Sequence, residues 1–130
     1  MSPPGLLGIR HVALYVGDLE AAERFWTEVM GYVVEWRPDP DNVYLRGARD
    51  NLALHRGRPE GRGNLDHIGI AVAAPGDVDA WAAHLGLAGV TLETRPKTHR
   101  DGSRSLYFRG PEGLLIQIIH HAPMTDGARK

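Results

Sequence analysis

Ile9-Arg10-His11-Val12-Ala13-Leu14-Tyr15-Val16 and Leu65-Asp66-His67-Ile68-Gly69-Ile70-Ala71-Val72 are the two stretches on which the reading of this chain turns. Each carries a histidine at its third position and alternates with period 2, the pattern of a strand with two unlike faces. In the first, His11, Ala13 and Tyr15 share one face, and Val12, Leu14 and Val16 share the other. Gly17-Asp18 breaks the strand. Asp18 is a good helix N-cap, with Glu20 in the first turn behind it. Leu19, Ala22, Phe25, Trp26 and Val29 then recur at helical spacing, and Gly31 supplies the stop. That helix has one apolar stripe to lay against the Val12 face.

Three more strands complete the first half: Tyr32 to Trp36, Val43 to Arg46 and Leu52 to His55, with Pro38-Asp39-Pro40-Asp41-Asn42 as a turn. The order is β-α-β-β-β. After a polar, glycine-rich stretch the order repeats. Strand Leu65 to Val72 is followed by a helix that enters at Pro75-Gly76-Asp77 and carries Val78, Trp81, Ala82 and Leu85. Strands over Val90 to Glu93, Ser105 to Arg109 and Leu114 to His120 follow. Trp26 and Trp81 stand at nearly the same distance beyond the two histidines, and Tyr44-Leu45-Arg46-Gly47 answers Tyr107-Phe108-Arg109-Gly110. One unit has been written twice. The expectation is an α+β protein of one domain, with module 1 over 6–56, a linker over 57–63, module 2 over 64–121 and a flexible tail over 122–130.

Composition narrows the partners. A chain of 130 residues with 42% hydrophobic content suffices for one packed core. Its 15 basic and 16 acidic residues form no block of one sign, so neither nucleic acid nor a membrane is expected, and a small-molecule substrate is. With no cysteine there is neither a disulfide nor a thiolate metal site. Met1-Ser2-Pro3-Pro4-Gly5 has no secretory signal character, and a cytoplasmic location is the expectation.

A lone histidine at the start of a strand is ordinarily a hydrogen-bonded structural residue. Two at equivalent places in a duplicated unit, with Ala13, Gly69 and Ala71 keeping their faces small, leave room for an ion between them. Trp26 and Trp81 lie on their helices' apolar stripes and read as helix-to-sheet packing.

Two β-α-β-β-β modules, each headed by a histidine on its first strand, resemble the vicinal oxygen chelate superfamily, which includes glyoxalases, antibiotic resistance proteins, epimerases and extradiol dioxygenases. The resemblance implies two tandem βαβββ modules curled into a half-open eight-stranded barrel around a cavity, with His11 and His67 as metal ligands. The C-terminal stretch is similar to the extradiol dioxygenase pattern: His99, Leu106-Tyr107, Pro111-Glu112-Gly113 and Gln117 fall in the same order. By that likeness His99 and Tyr107 are catalytic residues at the substrate's oxygens, and Gln117 is the third metal ligand.

Departures from the pattern carry chemistry. Gly110 stands at an acidic position and Gln117 where a glutamate ligand belongs. An amide oxygen binds a metal but contributes no charge, leaving the ion a poorer electron donor. Ungapped matching of Tyr44 on Tyr107 puts Leu54 at the fourth corner, and His55 faces inward only if the register slips by one. No carboxylate occurs on either last strand, which argues against glyoxalase-type proton abstraction. Where ring-cleaving enzymes carry an acid/base histidine, this chain reads Arg49-Asp50-Asn51. The leading expectation is a metal-dependent, dioxygenase-like enzyme with a His11/His67/Gln117 site. Fe(II) is favoured, Mn, Zn, Ni or Co are compatible, and Tyr15, His55 and Arg109 are substrate-binding residues. A metal-free protein that sequesters an aromatic compound, and an isomerase or lyase of the glyoxalase and epimerase type, are the alternatives. The resemblance also implies a homodimer.

Overall fold

The alternation of Ile9 to Val16 becomes a strand because it can bury two different faces, and both are used. In a computed structural model, which describes residues 2–61 and 63–126, β1 (Gly8–Val16) lies next to β5 (Leu65–Ala71) at the centre of one eight-stranded sheet. The strand order is β2-β3-β4-β1-β5-β8-β7-β6, with β2 (Val33–Asp39), β3 (Asn42–Arg46) and β4 (Asn51–Arg56) on one side. β6 (Leu92–Thr98), β7 (Arg104–Arg109) and β8 (Leu115–His120) lie on the other. β1 runs parallel to β4 and β5 parallel to β8, while β1 and β5 are antiparallel, so the two halves meet at a single seam.

Each half carries its own helix and core. Helix α1 (Leu19–Arg24) is capped by Asp18, whose Oδ1 accepts from Ala21 N at 3.0 Å, and continues through a wider turn over Phe25–Val29. Leu19 packs on Val43, Leu45, Leu52 and Leu54, with Val12, Leu14, Val16 and Trp26 around them. Helix α2 (Pro75–Leu87) brings Val78, Trp81 and Leu85 onto Val72, Leu106 and Ile118. Both tryptophans pack helix against sheet. Because the helices cover one face of each half-sheet, the opposite faces are left to enclose a cavity.

Three differences from the sequence reading have physical causes. The polar stretch after Glu93 is mostly strand: β6 runs to Thr98 as an edge, where Pro96 is tolerated because no partner needs its missing N–H. Pro38 sits the same way in edge strand β2. The tail over 122–130, expected to be flexible, is helix α3 (Ala122–Asp126) at its start. Met124 is 1% exposed against Ala71 and Ile119, and Arg10 Nη1 donates to its carbonyl at 2.7 Å. Residues 127–130 of that tail and Arg62 of the linker lie outside the described residues. Thirdly, Leu54 is not at the fourth corner. Tyr44 pairs with Ala53 whereas Tyr107 pairs with Gln117, because the β3–β4 connection is one residue shorter than the β7–β8 one. Ala53 takes the corner and Leu54 turns into the core.

Met124→Ala removes a fully buried side chain and is expected to cost about 2–4 kcal/mol, read as a lower urea midpoint. A change within 0.5 kcal/mol would show that α3 contributes no packing.

Candidate functional site

The seam decides where the histidines go. In the β1–β5 register His11 lies opposite Gly69 and Ala13 opposite His67, so the imidazoles sit diagonally across the strands and meet in the cavity. Their Nε2 atoms are 3.0 Å apart within the one chain. Two nitrogens each about 2.1 Å from one ion and at right angles to each other also stand about 3.0 Å apart. Gln117, opposite Gly69 in the β5–β8 register, is 5% exposed, and its Oε1 is buried without a hydrogen-bond partner. Gly69 makes this convergence possible. A Cβ there would lie 2.7 Å from His11 Cβ and 3.2 Å from Gln117 Oε1.

Two facing imidazole nitrogens and an orphaned amide oxygen fit a divalent cation. Among the described residues no group of three or more His, Asp or Glu side chains converges, and His11, His67 and Gln117 are the residues that could hold an ion here. Burial, with His67 beside it, lowers His11 to about 4. Its ring is therefore neutral near pH 7 and able to ligate.

Behind His67 lies a carboxylate. Asp66 Oδ2 accepts from His67 Nδ1 at 2.8 Å, and Asp66 Oδ1 accepts from the Tyr15 hydroxyl at 2.6 Å. Tyr15 thus braces Asp66 and does not line the main cavity. Tyr107 does line it, edge-on to His67 with ring centroids 5.2 Å apart. Its hydroxyl is pushed up to about 12, chiefly by burial, so it stays protonated and can donate to a bound oxygen. His99 lines the opposite wall, its Nε2 2.8 Å from Ser105 Oγ.

The cavity, about 670 Å³, draws on both modules. His55 faces it because the register is shifted by one from the ungapped match, so that Ala53 and His55 share the inner face, and Tyr15 pairs with His55 as His11 pairs with Asn51. His55 Nδ1 lies 2.6 Å from Asn42 Oδ1, and burial lowers its pKa. Trp36 stacks on Tyr44 at 5.4 Å to form an aromatic wall. Arg109 does not reach this cavity. It lies in a shallow recess with Asp66, His67 and Tyr107, its guanidinium held by Glu93 Oε1 and Gly113 O, each at 3.0 Å.

Sequence reasoning missed a carboxylate in the cavity. Glu35 Oε1 accepts from Asn51 Nδ2 at 2.6 Å, and its Oε2 lies 3.2 Å from His121 Nε2. Asn51 is the neighbour of His11 in the β1–β4 register, which puts Glu35 one side chain away from His11. Glu35 and Trp36 are consecutive, yet both line the cavity, because the β2–β3 register shifts between Val34 and Trp36. Such a bulge re-aims side chains, and no alternation pattern announces it.

The chain belongs to the Glyoxalase/Bleomycin resistance protein/Dioxygenase superfamily, whose family model matches residues 8–118. A 2-epi-5-epi-valiolone epimerase from Actinomyces sp. is 32% identical over 90% of this chain and 81% of its own length. A manganese-dependent 2,3-dihydroxybiphenyl 1,2-dioxygenase from Geobacillus genomosp. 3 is 27% identical over 85% of this chain, which spans 35% of that relative's length. Among solved structures, the Mn(II)-bound glyoxalase from Novosphingobium aromaticivorans superposes with a TM-score of 0.77 at 25% identity, over 98% of this chain and 42% of the other. No helix among the described residues is long and apolar enough to cross a membrane.

Two outcomes test this geometry. Between pH 6.5 and about 4 an unfolded His11 takes up a proton that the folded ring refuses, so metal-free stability should be intact above pH 6.5 and fall as pH drops through that window. The loss is on the order of 3 kcal/mol, and urea midpoints of His11→Gln should lack that share of the slope. Gly69→Ala would ordinarily gain a little from a stiffer unfolded chain, but the 2.7 Å approach to His11 Cβ outweighs this. A loss of about 1–3 kcal/mol is expected, measured the same way.

Proposed function

We propose that this protein is a divalent-metal-dependent enzyme for a substrate with two neighbouring oxygens, and that its reaction is proton transfer of the epimerase or isomerase type. The observation that carries the reading is Glu35, a carboxylate in the same cavity as His11, His67 and Gln117, fixed by Asn51 on one oxygen and His121 on the other. It supplies the base that the last strands lack. Support also comes from the epimerase relative, matched over most of both chains.

His11, His67 and Gln117 would hold the ion, which when bound supplies Lewis-acid polarisation of a substrate oxygen. A neutral donor set suits that role better than electron transfer to O₂, which favours Mn(II) over Fe(II) in this reading. The Tyr107 hydroxyl donates to the polarised oxygen. Glu35 takes the proton from the neighbouring carbon, and His121 Nε2, in contact with Glu35 Oε2, stabilises the carboxyl group that results. The Trp36–Tyr44 wall shields the far side of the substrate from water.

One observation favours a second reading, ring cleavage with Fe(II): His99 and Tyr107 face one cavity in the order of extradiol enzymes. Arg49-Asp50-Asn51, where such enzymes carry an acid/base histidine, weighs against it.

Protein loaded with Mn(II) and offered 2-hydroxyketones in D₂O should exchange the substrate's carbon-bound proton. Glu35→Gln should slow that exchange about 10²–10⁴-fold while leaving Mn(II) affinity unchanged. Oxygen uptake with catechols on Fe(II)-loaded protein, without exchange, would establish the second reading instead. Ligand binding that persists when neither Mn(II) nor Fe(II) is taken up would leave a metal-free sequestering protein.

A further inference from the structure

The two histidines are unequal in a way that the donor set alone does not explain. His11 has the neutral Asn51 beside it, its partner in the β1–β4 register, and among the described residues no carboxylate accepts from its Nδ1. Behind His67 a chain of groups runs outward: His67 Nδ1, Asp66 Oδ2 at 2.8 Å, then Asp66 Oδ1 and the Tyr15 hydroxyl at 2.6 Å. These contacts bridge the seam, since Tyr15 is on β1 and Asp66 on β5.

We propose that Asp66, braced by Tyr15, is the carboxylate of this metal site, acting through the ring of His67 and never touching the ion. The inference rests on the metal reading above and extends it to the source of the site's negative charge. Three steps lead to it. An ionised carboxylate only accepts, so Nδ1 of His67 carries the proton and Nε2 presents a lone pair to the cavity. His67 is thereby set in the tautomer that ligates, before any ion arrives. A carboxylate hydrogen-bonded to a ligating imidazole also makes the ring more basic, and its charge offsets that of the cation. Gln117 provides no such charge, and Asp66 supplies it one ring further out. Tyr15 occupies Oδ1, which holds Asp66 at the back of the ring and out of the cavity.

The same logic makes His67 the first ligand. With its Nδ1–H given to Asp66, His67 accepts at the 3.0 Å Nε2 contact, so the tautomer assigned to His11 carries its proton on Nε2. His11 has to move that proton to Nδ1 before it can ligate. Asp66 is therefore a positioning residue for one half of the site, and the other half forms around it.

Titration with Mn²⁺ alone, followed by calorimetry and by ¹⁵N spectra of the histidines in metal-free protein, tests the proposal on the full chain. Asp66→Asn keeps an acceptor but removes the charge, and should bind Mn²⁺ about 10-fold more weakly; Asp66→Ala removes both and should approach 100-fold. The His67 Nδ1–H signature should survive in Asp66→Asn and give way to mixed tautomers in Asp66→Ala. Tyr15→Phe leaves the carboxylate in place and should weaken binding by a few-fold. Adding Gln117→Glu to Asp66→Asn should restore most of the affinity, because the charge then returns as a direct ligand. Asp66→Ala binding within twofold of the parent, or no recovery on adding Gln117→Glu, overturns the inference while leaving the metal reading intact. A parent protein that takes up no Mn²⁺ overturns both. Should Asp66→Ala lose its fold by circular dichroism, Asp66→Asn and Tyr15→Phe carry the same test.

Discussion

The antiparallel pairing of β1 with β5 is the constraint on which the rest of this structure depends. Its register sets His11 against Gly69 and Ala13 against His67, so each histidine faces a residue with little or no side chain. Only then can the two rings lean toward each other to 3.0 Å across the seam. A slip of one residue between the two strands would send one of the histidines to the helix-covered face and bring its apolar neighbour, Val12 or Ile68, into the cavity. The same pairing joins the two half-sheets into one curved surface and spares each module an exposed central edge.

From that seam the division of labour follows. Each module spends its helix and one sheet face on an apolar core, Leu54 and Val43 in one and Leu106 and Ile118 in the other. The inner faces are left for polar groups, which need partners when buried. Asp66 satisfies His67, Asn51 and His121 satisfy Glu35, and Ser105 satisfies His99. Among the described residues that line the cavity, Gln117 Oε1 is buried without a hydrogen-bond partner. In a site otherwise so well paired, a buried acceptor without a partner marks where a ligand belongs.

The cavity also has two chemically different ends. Around Tyr107 and Gln117 lie the groups that would meet the substrate's oxygens; around Trp36, Tyr44 and His55 lies an aromatic surface suited to a flat or apolar body. Helix α3 contributes Met124 to the lining, and His121 just before it reaches Glu35 on the far edge strand. The C-terminal segment therefore closes the cavity and fixes its carboxylate as well.

The sequence by itself determined the repeated β-α-β-β-β order, the face shared by His11, Ala13 and Tyr15, and the small residues Ala13, Gly69 and Ala71 beside the two histidines. These are local properties: period, caps and glycines act within a few residues of where they are written. The tertiary structure alone decided the rest. That both histidines meet within one chain depends on how two distant strands pair. That Ala53 rather than Leu54 takes the fourth corner depends on a connection one residue shorter than its counterpart. Glu35 and Trp36 both face inward because β2 shifts register against β3, and Arg109 turns away because Glu93 and Gly113 hold it. Alternation along a strand tells which residues share a face. Which face meets which, and with what offset, is settled only when backbone hydrogen bonds between distant segments fix the register.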